Sequence, residues 1–323
     1  MNDLLGGTVG VLGKSPIQGD FHHVRASHPA FVRFDEWLAS SFEWAVAQRG
    51  PRFLESYAGG SIHAFVFHPP GKDSSLVTGA LGPSRDSAGR QFPLVLASML
   101  SLGPDLVRSP HLLPLLLEEF WAAAGDLVAE AAFRPTFDLD QRSGALSITP
   151  ELDVELALSS YGAWTHDLSL QELWHLLGHD AFSNEPERPL RFLAEAVRPL
   201  ARVEQPTSPL TLRLPLGQAG GAALCFWLDL TRRLLSWRAT VPSFFWSHDG
   251  QAGGLILHLG QAPVSTLSEM WLPSGERDEV CDLTASLAGD WVSALPPLSP
   301  ALRATLESAN ASVADLLAAA DSA

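Results

Sequence analysis

The sequence predicts an α+β fold: a mostly antiparallel sheet flanked by helices, with a helix-rich C-terminal part. Three observations carry this. Short apolar or alternating runs at 8–12, 61–68, 76–81 and 91–100 are separated by Gly- and Pro-containing turns, as strands require. Two long stretches, 29–48 and 110–132, repeat large apolar residues at spacings of three and four, the helical period. Strands then follow one another without a helix between each pair, which argues against a parallel βαβ sheet.

Each element can be justified in turn. Residues 8–12 form a strand entering a Gly/Pro turn. In 29–48, Phe31, Phe34, Trp37, Leu38, Phe42 and Ala45 make one stripe, and Gly50-Pro51 stops the helix. Residues 52–57 add a further turn before Gly59-Gly60. Residues 61–68 alternate and end at Pro69-Pro70, and 76–81 completes a hairpin. Residues 91–100 form a strand with Pro93 near its start, which restricts where it pairs. In 110–132 the stripe is Leu113, Leu116, Leu117, Phe120, Trp121, Ala124, Leu127 and Val128. Residues 134–165, which contain Ser, Thr and Pro, read as irregular and as the best candidate domain boundary, or as an inserted segment. Residues 168–177 read as a helix capped by Ser169 three residues before Glu172, and stopped by Gly178. A polar loop at 184–189 and a helix at 190–200 follow, then a turn at 206–209, a strand at 210–216 and a helix at 221–236. Strands at 243–247 and 255–260 are joined by a Gly/Asp turn. Helices at 264–272, 279–295 and 299–320 close the chain. The expected division is 1–135 and 136–323, with the two parts able to pack as one unit.

Composition narrows the function classes. With 323 residues, 46% of them hydrophobic, the chain can bury a sizeable core. A formal net charge of -15 argues against non-specific nucleic-acid binding, which needs clustered Lys and Arg. Cys225 and Cys281 lie in apolar surroundings, so no disulfide framework is expected. There is no signal-peptide pattern and no uninterrupted apolar run of about 18 residues, so the expectation is a cytoplasmic protein without a membrane span.

Candidate chemistry is sparse. Gly13-Lys14-Ser15 suggests a phosphate loop, but Thr8 stands where the first motif glycine belongs, and Pro16 and Gly19 prevent a helix from starting at the lysine. His175 and His179 have zinc-ligand spacing, yet Leu176 replaces the expected Glu and Gly178 intervenes. Cys225 sits on an apolar helix face, where thiols are inert. His22, His23 and His28 read as a solvated cluster near a helix start. Asp20 and Asp86 are candidate acid–base carboxylates, but with Lys14 and Arg90 nearby in sequence an internal ion-pair set accounts for them equally well. Trp246 reads as core, with an interface anchor as the alternative. No catalytic, cofactor or metal residue is assigned.

Two spaced motifs carry a resemblance. One is Gly13-Lys14-Ser15-Pro16-Ile17-Gln18-Gly19-Asp20-Phe21. The other is Pro83-Ser84-Arg85-Asp86-Ser87-Ala88-Gly89-Arg90-Gln91-Phe92-Pro93-Leu94, with Asp35-Glu36-Trp37-Leu38 between them. Residues 8–132 thereby resemble the TagF/ImpM family of type VI secretion accessory proteins. Ser243-Phe244-Phe245-Trp246 is a weaker echo, in which Phe245 departs from the family's tryptophan. Residues 134–205 have no place in the resemblance. It implies a cytoplasmic post-translational repressor of type VI secretion that is not an enzyme and is linked to the forkhead-associated scaffold of the apparatus. Gly13, Lys14, Pro16, Gly19, Asp20, Phe21, Ser84, Asp86, Gly89, Arg90 and Trp246 are the candidate docking residues. Gly13 and Gly19 are expected to shape the first loop, and Asp20 to hold it against Arg90. The alternative is a hydrolase of a phosphorylated partner, with its site at Lys14, Asp20, Asp86 and Arg90.

Overall fold

The fold is described from a computed structural model, over residues 4–70, 75–134, 136–148, 153–178, 185–203, 206, 209–218, 220–237, 240–247, 254–272, 280–284 and 294–321. Strands β1 (Leu4–Gly6), β2 (Gly10–Gly13) and β3 (His22–Val24) lead into helices α1 (Pro29–Arg49) and α2 (Pro51–Ala58). Strands β4 (His63–Phe67), β5 (Leu76–Gly82) and β6 (Leu94–Leu102) come next, then α3 (Pro104–Arg108) and the long α4 (Leu113–Phe133). Helices α5 (Leu139–Gly144), α6 (Val154–Asp167), α7 (Leu170–Leu176) and α8 (Glu187–Val197) precede strand β7 (Leu210–Pro215). After α9 (Gly220–Leu235) come the paired strands β8 (Ser243–Ser247) and β9 (Gly254–Leu259), then α10 (Thr266–Trp271). The chain closes with β10 (Val280–Asp282), α11 (Pro300–Glu307) and α12 (Val313–Ala320).

Among the described residues ten strands share one sheet, in the order β10-β7-β9-β8-β4-β5-β6-β2-β3, with β1 paired to the far end of β6. Every pairing is antiparallel except β10 with β7. The α+β reading therefore holds. Helices cover both faces, which is why all of β5 is buried instead of alternating. On one face Val66, Leu96, Phe244 and Leu257 pack against α4 and α9; on the other Phe65, Phe67, Phe245 and Ile256 pack against α1. The stripes of 29–48 and 110–132 are the buried faces of α1 and α4. Strand β6 begins one residue after Pro93, so the missing N–H lies outside the ladder and the strand can sit inside the sheet.

Three expectations fail. Residues 134–165 hold α5 and α6, started by the side chains of Asp138 and Asp153, which accept from Gln141 N and Leu156 N. These helices bury only a few residues each, so little periodicity marks them. Residues 280–282, expected to open a helix, form β10 beside β7 with Cys281 buried. The single helix at 299–320 is two, broken at Ser308–Ser312. There Ser312 forms a capping box with Asp315, and its neighbours bond the Leu168–Leu170 turn through Leu170 N to Ala311 O and Val313 N to Leu168 O. Most of the expected turn at 248–254, most of the expected helix at 279–295, His179, and Asn184 of the expected loop at 184–189 lie outside the described residues. No described helix is long and apolar enough to cross a membrane.

Candidate functional site

The register of the sheet builds the site. Gly13 pairs with Leu94, and Gly82 pairs with the same residue from the other side. The loops leaving β2 (14–21) and joining β5 to β6 (83–93) therefore emerge together at one end of three adjacent strands. Gly13 has φ +99, and a methyl group there would drive into the Pro93 carbonyl oxygen. The Lys14 amide donates to that carbonyl at 3.3 Å.

Asp86 is the hub of the two loops. Its Oδ2 accepts from Lys14 Nζ at 2.9 Å and from Arg90 Nε at 2.6 Å. Its Oδ1 accepts from the amides of Ala88 at 3.0 Å and Arg90 at 2.8 Å. Four donors saturate the acceptor capacity of a carboxylate. Burial alone would raise its pKa; the Lys14 hydrogen bond, followed by those from Arg90, outweighs burial and holds it well below the usual carboxylate range. Gly89, at φ +84, closes the turn that aims both amides at Asp86. Arg90 Nη2 then reaches Gly19 O at 2.6 Å, and the Ser87 amide reaches Gln18 O at 3.1 Å, lacing one loop to the other.

Beneath the loops, Tyr57 Oη accepts from Ser84 N at 2.8 Å and donates to Ser84 O at 3.2 Å. Burial raises the Tyr57 pKa, keeping it a neutral hydroxyl. Ser15 Oγ and His22 Nε2 lie 2.7 Å apart, both side chains buried. Above the loops, Phe21 is 45% exposed, with its edge against Phe92 at 5.0 Å and Lys14 Nζ 4.8 Å from its ring centre. The Arg90 side chain is 63% exposed despite its bonds. The outer surface is thus an aromatic ring and a guanidinium on a rigid base.

Residues 10–148 match the family model described as TagF N-terminal domain, type VI secretion system-associated. This region belongs to the TagF N-terminal domain family. The protein is therefore associated with a type VI secretion system. The TagF match runs beyond residue 132 and takes in α5, which Arg25 ties back to β2 and β3 by donating to Val9 O at 2.7 Å and to Ser143 Oγ at 2.6 Å. No curated protein matches the chain. A crystal structure similar to it is that of PA0076 from Pseudomonas aeruginosa PAO1, 19% identical over 83% of this chain and 96% of that chain, with a TM-score of 0.43.

Within the TagF domain the structure corrects the sequence reading at Asp20 and His22. Asp20 is exposed and makes no ion pair among the described residues; Arg90 pairs with Asp86 and takes the backbone of Gly19 instead. His22 is not solvated but buried against Ser15, and burial lowers its pKa against the pull of Asp140. His28 caps α1, its Nδ1 accepting from Ala30 N at 3.2 Å. Lys14 is enclosed in its ion pair and precedes a turn, so no phosphate cradle forms around it. Outside the TagF domain, Trp246 is buried in β8 with its ring 5.8 Å from that of Trp121, a core position and not an exposed anchor. Cys225 is buried in α9, and burial raises its pKa.

One cluster escaped the sequence reading. Asp229, buried in α9, accepts from Arg232 Nη2 at 2.7 Å and Arg233 Nε at 2.9 Å. Tyr161 Oη lies 3.4 Å from it and His111 Nδ1 4.0 Å. The i+3 and i+4 spacing of Asp229, Arg232 and Arg233 was a legible signal. The convergence of α6 and the segment before α4 on them was not.

Proposed function

We propose that the chain restrains a type VI secretion system post-translationally, by binding a component of the machine through the surface of its two laced loops. The expected partner is the forkhead-associated scaffold, met in the cytoplasm. The observation that carries this reading is Asp86: ionised, buried and saturated by four donors, it stiffens the loops and has no lone pair left for acid–base work. Phe21 and Arg90, exposed on that base, are residue types enriched at protein interfaces. The hydrolase alternative needs Lys14, Asp20, Asp86 and Arg90 to converge on a ligand. Instead three of them engage one another or backbone, and Asp20 stands apart.

The test is capture from a bacterium carrying its own type VI apparatus. The full-length chain is expected to retain a secretion component, and Phe21→Ala to lose it while keeping its thermal melt. Deletion of the gene is expected to raise secretion. Unchanged secretion together with no co-purifying component would refute the reading.

A further inference from the structure

A second surface lies away from the two loops, between α4 and α6. Its groove has a volume of ≈ 570 Å³, within the range of about 300–1,000 Å³ for ligand clefts. Leu116, Phe120, Ile148 and Ala157 supply an apolar floor. At its edge Leu156 is 62% exposed, on the helix whose Ala157 and Tyr161 are buried. Among the described residues, the titratable side chains lining the groove are Glu118, Glu119 and Asp153, with no Lys, Arg or His. All three carboxylates are exposed; the Asp153 carboxylate also caps α6 at Leu156 N.

We propose that this groove docks a basic amphipathic helix of a partner protein. The trough runs between two helices and is apolar below and acidic at the rim, the complement of a helix with aliphatic anchors at i, i+3/i+4 and i+7 and Lys or Arg beside them. Its open side, with Leu156 and Ser160 exposed, would leave a small molecule largely in water, whereas a helix laid along it covers the exposed leucine. The rim charge and the formal net charge of -15 repel anionic occupants such as nucleic acid or acidic lipid. This surface does not depend on the role of the Asp86 loops.

Fluorescence anisotropy of the full-length chain tests it, using a labelled synthetic Leu/Lys amphipathic peptide of about four helical turns. A Leu/Glu peptide of the same spacing is the control. The Leu/Lys peptide is expected to bind and the Leu/Glu peptide to fail. Leu156→Glu is expected to weaken binding about tenfold although it makes the chain more acidic. Glu119→Lys is expected to weaken it about fivefold, while Glu55→Lys, the same charge change at an exposed position of α2, alters it by less than about twofold. Tighter binding by Leu156→Glu, or equal weakening by the two lysine variants, means attraction to net charge alone and overturns the proposal. So does failure of the Leu/Lys peptide to bind, or a dimer of the chain that Leu156→Glu dissociates, which would make the groove a self-association surface. Circular dichroism checks the variants; should Leu156→Glu melt early, Ser160→Glu at the exposed rim repeats the test.

Discussion

Lys14 and Asp86, 72 residues apart in the chain, meet in an ion pair from which water is almost excluded. Removing one partner of such a pair leaves an uncompensated buried charge, whereas removing both does not. Lys14→Met and Asp86→Asn should each destabilise the chain, and the double variant should be more stable than the sum of the two losses implies. Urea denaturation in a double-mutant cycle measures this coupling. The folded pKa of Asp86 is depressed, so its contribution is present above the unfolded value of about 3.9 and is lost as pH falls through the folded value. The stability gap between the parent and Asp86→Asn should accordingly be constant near neutrality and close in strong acid. Gly13→Ala combines an unfavourable positive φ with a clash against Pro93 O, and should lower stability by about 2–4 kcal/mol, read from urea unfolding. An unchanged midpoint would refute that account of the loop.

At the scale of elements, β5 and α4 are joined by one polar chain inside an apolar layer. Trp121 Nε1 donates to Thr78 Oγ1 at 2.9 Å, and Thr78 Oγ1 donates to Phe65 O at 2.7 Å. Thr78→Val keeps the shape but leaves the indole N–H without its acceptor, so a loss of about 1–3 kcal/mol is expected. Trp121→Phe with Thr78→Val should then lose less than the two single changes added. Chemical denaturation of the set decides it: strict additivity would mean that the hydrogen bond contributes nothing. The long helices were legible because a broad buried stripe repeats over many turns. Helices α5 and α6 were not, because each buries few side chains; α5 owes its place to contacts such as Arg25 with Ser143, and α6 to contacts such as Tyr161 with His111. Strand β10 has three residues, too few for any period to register, and exists because β7 offers it an edge.

Across the whole molecule, the buried histidines His111 and His258 add to the weakening of the fold in acid. Burial, opposed by Asp229 and reinforced by Arg232 and Arg233, pushes His111 down to about 4. The unfolded chain protonates this residue near pH 6.5, so between about 6.5 and 4 the unfolded state binds more protons and folding weakens as pH falls. The expected loss from His111 is about 3 kcal/mol across that window. His258, enclosed between Thr211 and Thr266, is pushed down to about 3 by burial and acts in the same direction. The pH profile of stability should be flatter for His111→Gln than for the parent; parallel profiles would show that His111 titrates normally in the fold.

The sequence by itself determined the class of fold, the major helices, most of the strands and the two signature loops. Those features depend on local periodicity, on glycine and proline, and on residue types placed a few positions apart. It also offered Lys14, Asp20, Asp86 and Arg90 as an internal ion-pair set beside the acid–base reading, but did not show which carboxylate closes it. Asp20 and Asp86 are both turn residues with a glycine within three positions, and nothing local separates them. The pairing of Gly13 with Leu94 decides, because it sets the Lys14 ammonium beside the Asp86 loop and leaves Asp20 facing solvent. The same dependence hid the Asp229 cluster and the groove between α4 and α6. Charges and apolar faces that meet across tens of residues are matched by strand register and helix packing, and only the tertiary structure specifies those.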